Sequence, residues 1–151
     1  MTRLLLILIP GLFLLCACAE PAADDPVAVV PADQANLTLL VSNQSLVDRA
    51  VDLQVRIDGH LVTDDTFDVE GEEGAETLQH NVFWVHLRAT PGAHEVVVTA
   101  KGGSVGASQT VLVDGPRWVS LAYWRDAEGE GSGEKAGWIQ IEVSDQAMNI
   151  E

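Results

Sequence analysis

Val51-Asp52-Leu53-Gln54-Val55-Arg56-Ile57-Asp58-Gly59 is the stretch that decides the fold. Apolar residues take every second position from Val51 to Ile57, and the positions between them are polar or charged. Successive side chains of an extended chain point to opposite faces, so this period of two sets one face on a core and the other in water. Asp58-Gly59 closes the strand with residue types that accept the positive φ of a tight hairpin turn. The pattern continues in both directions. Upstream, Leu37, Leu39 and Val41 alternate with Thr38, Leu40 and Ser42. Downstream, Leu61-Val62 leads to a weaker strand at 66–69, and 82–88 forms another before the turn Thr90-Pro91-Gly92. Residues 94–100 and 105–113 flank Lys101-Gly102-Gly103-Ser104 as a hairpin, and Asp114-Gly115-Pro116 makes a further turn. Residues 117–125 and 138–144 flank a Gly/Glu-rich loop. No long segment has a period of 3.6. About seven or eight short strands with regular turns predict an all-β chain, an antiparallel Ig-like β-sandwich over residues 36–151.

The N-terminus has a different texture. Arg3 precedes an apolar run of about a dozen residues, too short for the ~20 that span a bilayer as a helix, so it reads as a removable export signal. The run ends in Leu15-Cys16-Ala17-Cys18. This resembles the lipobox of bacterial lipoproteins. The resemblance implies a signal peptide at 1–17, cleavage before Cys18, and diacylglycerol on the Cys18 thiol, often with a third chain on the new amine. Two or more acyl chains anchor stably where one does not. Ala19 in place of Asp leans toward the outer membrane of a Gram-negative envelope, facing the periplasm or the surface. Residues 18–35 then read as the lipidated Cys and an extended tether, with Pro21, Pro26 and Pro31 spaced through it. Polyproline II at 3.1 Å per residue would lift the domain by roughly 50 Å.

Composition narrows the function. The formal charge is −15, one unit more negative once Arg3 is removed. Phosphate binding needs a basic footprint, so nucleic acid is not an expected partner, nor are anionic headgroups. With Cys16 lost and Cys18 acylated, the mature domain has no thiol for a disulfide, a metal or nucleophilic catalysis. The covalent lipid is the one non-protein group expected, and no cofactor is.

Residues 51–112 also resemble PEGA-like and related surface β-modules, through the strand ending in Asp58-Gly59 and through Pro91-Gly92-Ala93-His94 opening a Val-rich strand. That resemblance implies a non-catalytic envelope module with no active-site residues to carry over.

Alternation also assigns the tryptophans. Val119, Leu121 and Tyr123 share one face of their strand, and Trp118, Ser120, Ala122 and Trp124 the other. Ile139, Ile141 and Val143 oppose Trp138, Gln140, Glu142 and Ser144, while Phe83, Val85 and Leu87 oppose Trp84, His86 and Arg88. All four Trp thus fall on the more polar sides. A symmetric hairpin of the last two strands sets Trp124 opposite Trp138 and Ala122 opposite Gln140. The pair either staples the hairpin or, with Trp84, His86, Arg88 and Trp118, forms an aromatic face for a glycan ring or a protein.

Other constellations carry less chemistry. Asp64, Asp65, Asp68, Glu70, Glu72, Glu73 and Glu76 have oxygen ligands for Ca²⁺ but no D-x-D-x-D-G order, and read as a solvated acidic loop. His60, His80, His86 and His94 lack metal-ligand spacing. No nucleophile motif or phosphate loop is present, so no enzyme is expected. The implied role is a lipid-anchored binding or assembly module for an envelope protein or glycan. The alternatives are a structural spacer or accessory subunit, and a hydrolase with an unrecognised site.

Overall fold

The computed structural model describes residues 26–45, 47–70, 79–80, 82–100, 105–125 and 137–148; the side chains of Glu70, Gln79 and His80 lie outside that description. Also outside it are the signal, Cys18, the start of the tether, the acidic residues Glu72, Glu73 and Glu76, the hairpin tip 101–104 and the loop 126–136. The described residues form ten strands: β1 (Val27–Val29), β2 (Leu37–Asn43), β3 (Ala50–Ile57), β4 (His60–Glu70), β5 (Gln79–His80), β6 (Val82–Ala89), β7 (Gly92–Ala100), β8 (Gly106–Val113), β9 (Arg117–Trp124) and β10 (Trp138–Ser144). One 3-10 turn, Ala32–Gln34, joins β1 to β2.

The strands make two five-stranded sheets, β1-β6-β2-β9-β10 and β5-β4-β3-β7-β8. Their inner faces close on one core. Leu37, Leu39 and Val41 of β2, Leu87 of β6, and Val119, Leu121 and Tyr123 of β9 come from the first sheet. Leu53, Val55 and Ile57 of β3, Phe67 of β4, Val96 and Val98 of β7, and Val111 and Val113 of β8 come from the second. For β2, β3, β6 and β9 these are residues the alternation set on the apolar face. Each fully buried Val, Leu or Ile contributes about 1.5–3 kcal/mol, and the core contains no sulfur crosslink. The fold is therefore the all-β sandwich the strand pattern predicts.

Its connectivity follows the immunoglobulin-like Greek key from β2 onward. β2 and β6 pair in one sheet, and β3, β7 and β8 lie in order in the other, as B–E and C–F–G do in that fold. The C-terminal hairpin β9–β10 is an addition on the free side of β2. β9 runs parallel to β2, with Leu37 beside Arg117 and Asn43 beside Tyr123. This is the one parallel ladder among the described strands of an otherwise antiparallel sandwich. A parallel pair needs a long crossover, and here the crossover is the whole second sheet with β6.

Two further differences concern strand limits. Val27–Val29, in the segment read as tether, pairs with β6, and Val27 reaches the core. The Asn36 side chain helps to hold this edge: its Nδ2 donates to the Ala89 carbonyl and its Oδ1 accepts from the Ala89 N–H, both at 2.8 Å. The strand expected only near 66–69 is the full-length β4, an eleven-residue partner of β3. Its Asp64, Asp65 and Asp68 face solvent, which hides the strand period in sequence. At its start Asp58 and Gly59 adopt φ of 50° and 80°, the left-handed pair of a type I′ hairpin turn.

Candidate functional site: the outer face of the first sheet

Ladder register places six aromatic and polar side chains of the sequence reading on one surface. Across β10, β9, β2 and β6 the outer-face rows run Ser144–Trp118–Thr38–His86, then Glu142–Ser120–Leu40–Trp84, then Gln140–Ala122–Ser42–Val82. The next row holds Trp138 opposite Trp124, the register a symmetric hairpin predicts. Arg88 lies one row beyond His86, opposite Ala28 of β1. Trp84, His86, Arg88, Trp118, Trp124 and Trp138 thus belong to a single sheet face.

Within that face the aromatics form two groups. Trp124 and Trp138 stack with ring centroids 6.3 Å apart and planes 12° from parallel. Trp84 stacks on His86 at 6.5 Å and 20°, and His86 Nδ1 lies 3.4 Å from Thr38 Oγ1. Trp84 and Trp138 are 42% and 41% exposed. They sit three strands and four residues apart, roughly 20 Å on ordinary sheet spacings. A single sugar ring therefore meets one group; a chain or a protein surface can span both.

Between the groups the surface is polar. Gln140 donates to Glu142 at 2.6 Å, and Ser120 lies beside them. Thr38, Leu40 and Ser42 of β2 are buried although they point outward, because β2 is a central strand with a paired neighbour on each side. Arg88 is held against the 3-10 turn by the Gln34 carbonyl and side chain. Trp124 Nε1 is buried and has no hydrogen-bond partner among the described residues. Gly137 opens β10 because a Cβ there would fall on the Tyr123 phenol ring.

Two buried polar clusters were not assembled by the sequence reading. In the first, His94 on β7 points inward and is 3% exposed. Its Nδ1 is 2.6 Å from Asp58 Oδ2, and its Nε2 is 2.7 Å from the Thr90 carbonyl. Both partners accept, so the doubly protonated, cationic ring is the form that satisfies both contacts. Burial works against the charge, yet the Thr90 carbonyl and the Asp58 carboxylate outweigh it and raise the His94 pKa. For Asp58 burial pushes upward, and the Glu95 N–H and His94 bring the net value down. The signal in sequence was His94 itself, in phase with Val96 and Val98 on an apolar face.

In the second cluster, the loop after β2 is tied to the end of β9. Tyr123 donates to Asp48 Oδ2 at 2.8 Å, and Arg125 pairs with Asp48 at 3.1 Å. Asn43 donates to the Asp48 and Phe67 carbonyls and accepts from the Ser45 N–H. Both clusters join a buried side chain, His94 or Asn43, to charged partners at the rim of the fold, where Asp58, Asp48 and Arg125 are still partly exposed.

His60, His86 and His94 lie on different strands, and Asp64, Asp65 and Asp68 are spread along β4. Among the described residues no three His, Cys, Asp or Glu side chains converge as metal ligands, and no helix is long and apolar enough to cross a membrane. No protein-family model, curated protein or solved structure matches the chain.

Proposed function

We propose that this protein is a lipid-anchored module of a bacterial cell envelope that binds or assembles with another envelope component, a protein or a glycan, and catalyses nothing itself. The observation that carries the reading is the collection of all four tryptophans on one outer sheet face, two of them well exposed. Trp is costly to leave in water and favoured as an interface anchor. The anchor half of the proposal rests on Leu15-Cys16-Ala17-Cys18 and its resemblance to a lipobox.

The test is a pull-down of the membrane-held protein from its envelope, comparing the unsubstituted chain with a joint Trp84→Ala, Trp138→Ala variant of native circular dichroism. Loss of the captured component supports the reading; unchanged capture removes this face from it. Acyl labelling of the unsubstituted chain and of Cys18→Ala tests the anchor separately. A spacer role is the second reading. The Trp124–Trp138 stack favours it, since a cross-strand aromatic pair stabilises a hairpin without any ligand.

A further inference from the structure

β8 ends the second sheet, and the phase of its hydrogen bonds is fixed by two contacts. The Ala100 N–H donates to the Val105 carbonyl at 3.0 Å. The pairs in step with it are Val98–Ala107, Val96–Gln109 and His94–Val111, which exchange bonds with β7. Gly106, Ser108, Thr110 and Leu112 therefore turn their N–H and C=O groups away from the sheet. The Leu112 carbonyl bears this out by accepting from Arg117 Nε at 3.1 Å. The outward groups of Gly106, Ser108 and Thr110 have no ladder partner among the described residues, although β10, the end strand of the first sheet, runs beside β8 without pairing to it.

Exposed strand edges are usually protected by being short, bulged, or provided with Pro or charge. The edges β1 and β5 are three and two residues long, and β10 carries Glu142. β8 has eight residues, an unbroken register and neither Pro nor charge. It lies within 102–113, a charge-free run exceeded in length after Pro26 only by 34–47. Burial explains that second run, because it contains the central strand β2. It does not explain the first, since Gly106, Ser108, Thr110 and Leu112 are all exposed, Leu112 by 55%.

We infer that the β8 edge pairs with the β8 edge of a second copy of this chain, antiparallel about a two-fold axis at Ser108, joining two five-stranded sheets into one. Charge selects the occupant. With a net charge of −15, two copies repel over most of their surface. A two-fold contact also sets each group near its own image, so charged surface opposes itself and a charge-free edge does not. The axis at Ser108 sets Gly106 of one copy against Thr110 of the other. In that register every outward group of Gly106, Ser108 and Thr110 gains a partner, while the Leu112 carbonyl keeps Arg117.

The test uses the full-length chain in detergent, with Cys16 and Cys18 replaced by serine so that the introduced thiol is the only one. A hydrogen-bonded antiparallel pair holds its Cα atoms ~5.5 Å apart, within disulfide reach. Mild oxidation of Ser108→Cys is expected to give a covalent dimer; Ser120→Cys on the other sheet, and the unsubstituted chain, are expected to give none. In sedimentation, Ser108→Pro deletes an outward N–H but no bond to β7, and Thr110→Lys sets like charges near the axis. Each is expected to weaken self-association at least tenfold, with the circular dichroism spectrum of Thr110→Lys unchanged. A strictly monomeric unsubstituted chain at ~100 µM, an Ser120→Cys dimer as strong as that of Ser108→Cys, or full association of both edge variants would overturn the inference. So would oxidative capture of Ser108→Cys by a different protein in place of a second copy.

Discussion

The His94 imidazolium sits 2.6 Å from the Asp58 carboxylate, and so the inward face of β7 is tied to the β3–β4 turn. The ring is buried, and its second nitrogen holds the Thr90 carbonyl that precedes β7. One side chain therefore fixes both ends of the segment 90–94 against the tip of the neighbouring hairpin.

Stability should follow the charge states of this pair. His94 has a pKa above its ordinary 6.5, so its contribution is complete below about 6.5 and is lost as pH rises through the raised value. Asp58 has a pKa below its ordinary 3.8, so its contribution is complete above about 3.8 and is lost as pH falls through the lowered value. Urea unfolding from pH 3 to 9 should show a maximum between those limits, with a decline on the alkaline side that His94→Gln removes.

Asp58→Asn separates charge from geometry. Its Oδ1 can still accept the Glu95 N–H, and Asn also accepts positive φ. At pH 5.5 the variant should lose about 1–2 kcal/mol, the cost of a charge-assisted hydrogen bond. Above the His94 transition the amide can donate to the neutral Nδ1, so the deficit should shrink. A deficit constant from pH 5.5 to 9 would argue against a cationic His94.

Tyr123 is the single tyrosine of the chain, so the rise in absorbance near 295 nm on alkaline titration reports its ionisation alone. Burial, reinforced by the hydrogen bond to Asp48, raises its pKa above 10.0. The native phenol should titrate later than a free tyrosine, and stability should fall as pH rises past 10 because the unfolded chain ionises first. Tyr123→Phe should cost about 1 kcal/mol, less than Asn43→Ala, which strips a buried hub of three backbone contacts.

Trp124→Ala or Trp138→Ala should each remove the same exciton couplet from the far-ultraviolet circular dichroism. Beyond the lost area, the stack is worth about 0.5–1.5 kcal/mol, and thermal melts of the single and double variants measure that coupling. Trp84→Ala should leave the couplet intact.

Features governed by neighbouring residues were legible in the sequence. The Val51–Ile57 alternation gave the core face of β3, and hairpin symmetry alone gave the Trp124–Trp138 register. All six candidate face residues were placed on their correct sides for the same reason. What was hidden depends on partners far along the chain. Nothing local says that Val27–Val29 leaves the Pro-rich segment to pair with β6, or that β9 lies beside β2. Asp64, Asp65 and Asp68 masked β4, since an edge-side strand tolerates carboxylates that a central one excludes. The two buried polar clusters were missed because each joins a turn to a strand from another hairpin.

The parallel contact of β2 with β9 also sets a schedule. The central strand β2 takes its last neighbour from a strand made only after the whole second sheet. Contacts of such high sequence separation slow folding. A ribosome that has released everything through β8 still holds a sandwich whose most completely buried strand has one side open. The protein therefore commits to its native state only after synthesis of β9, and truncation after Val113 should yield an aggregating chain, not a smaller domain.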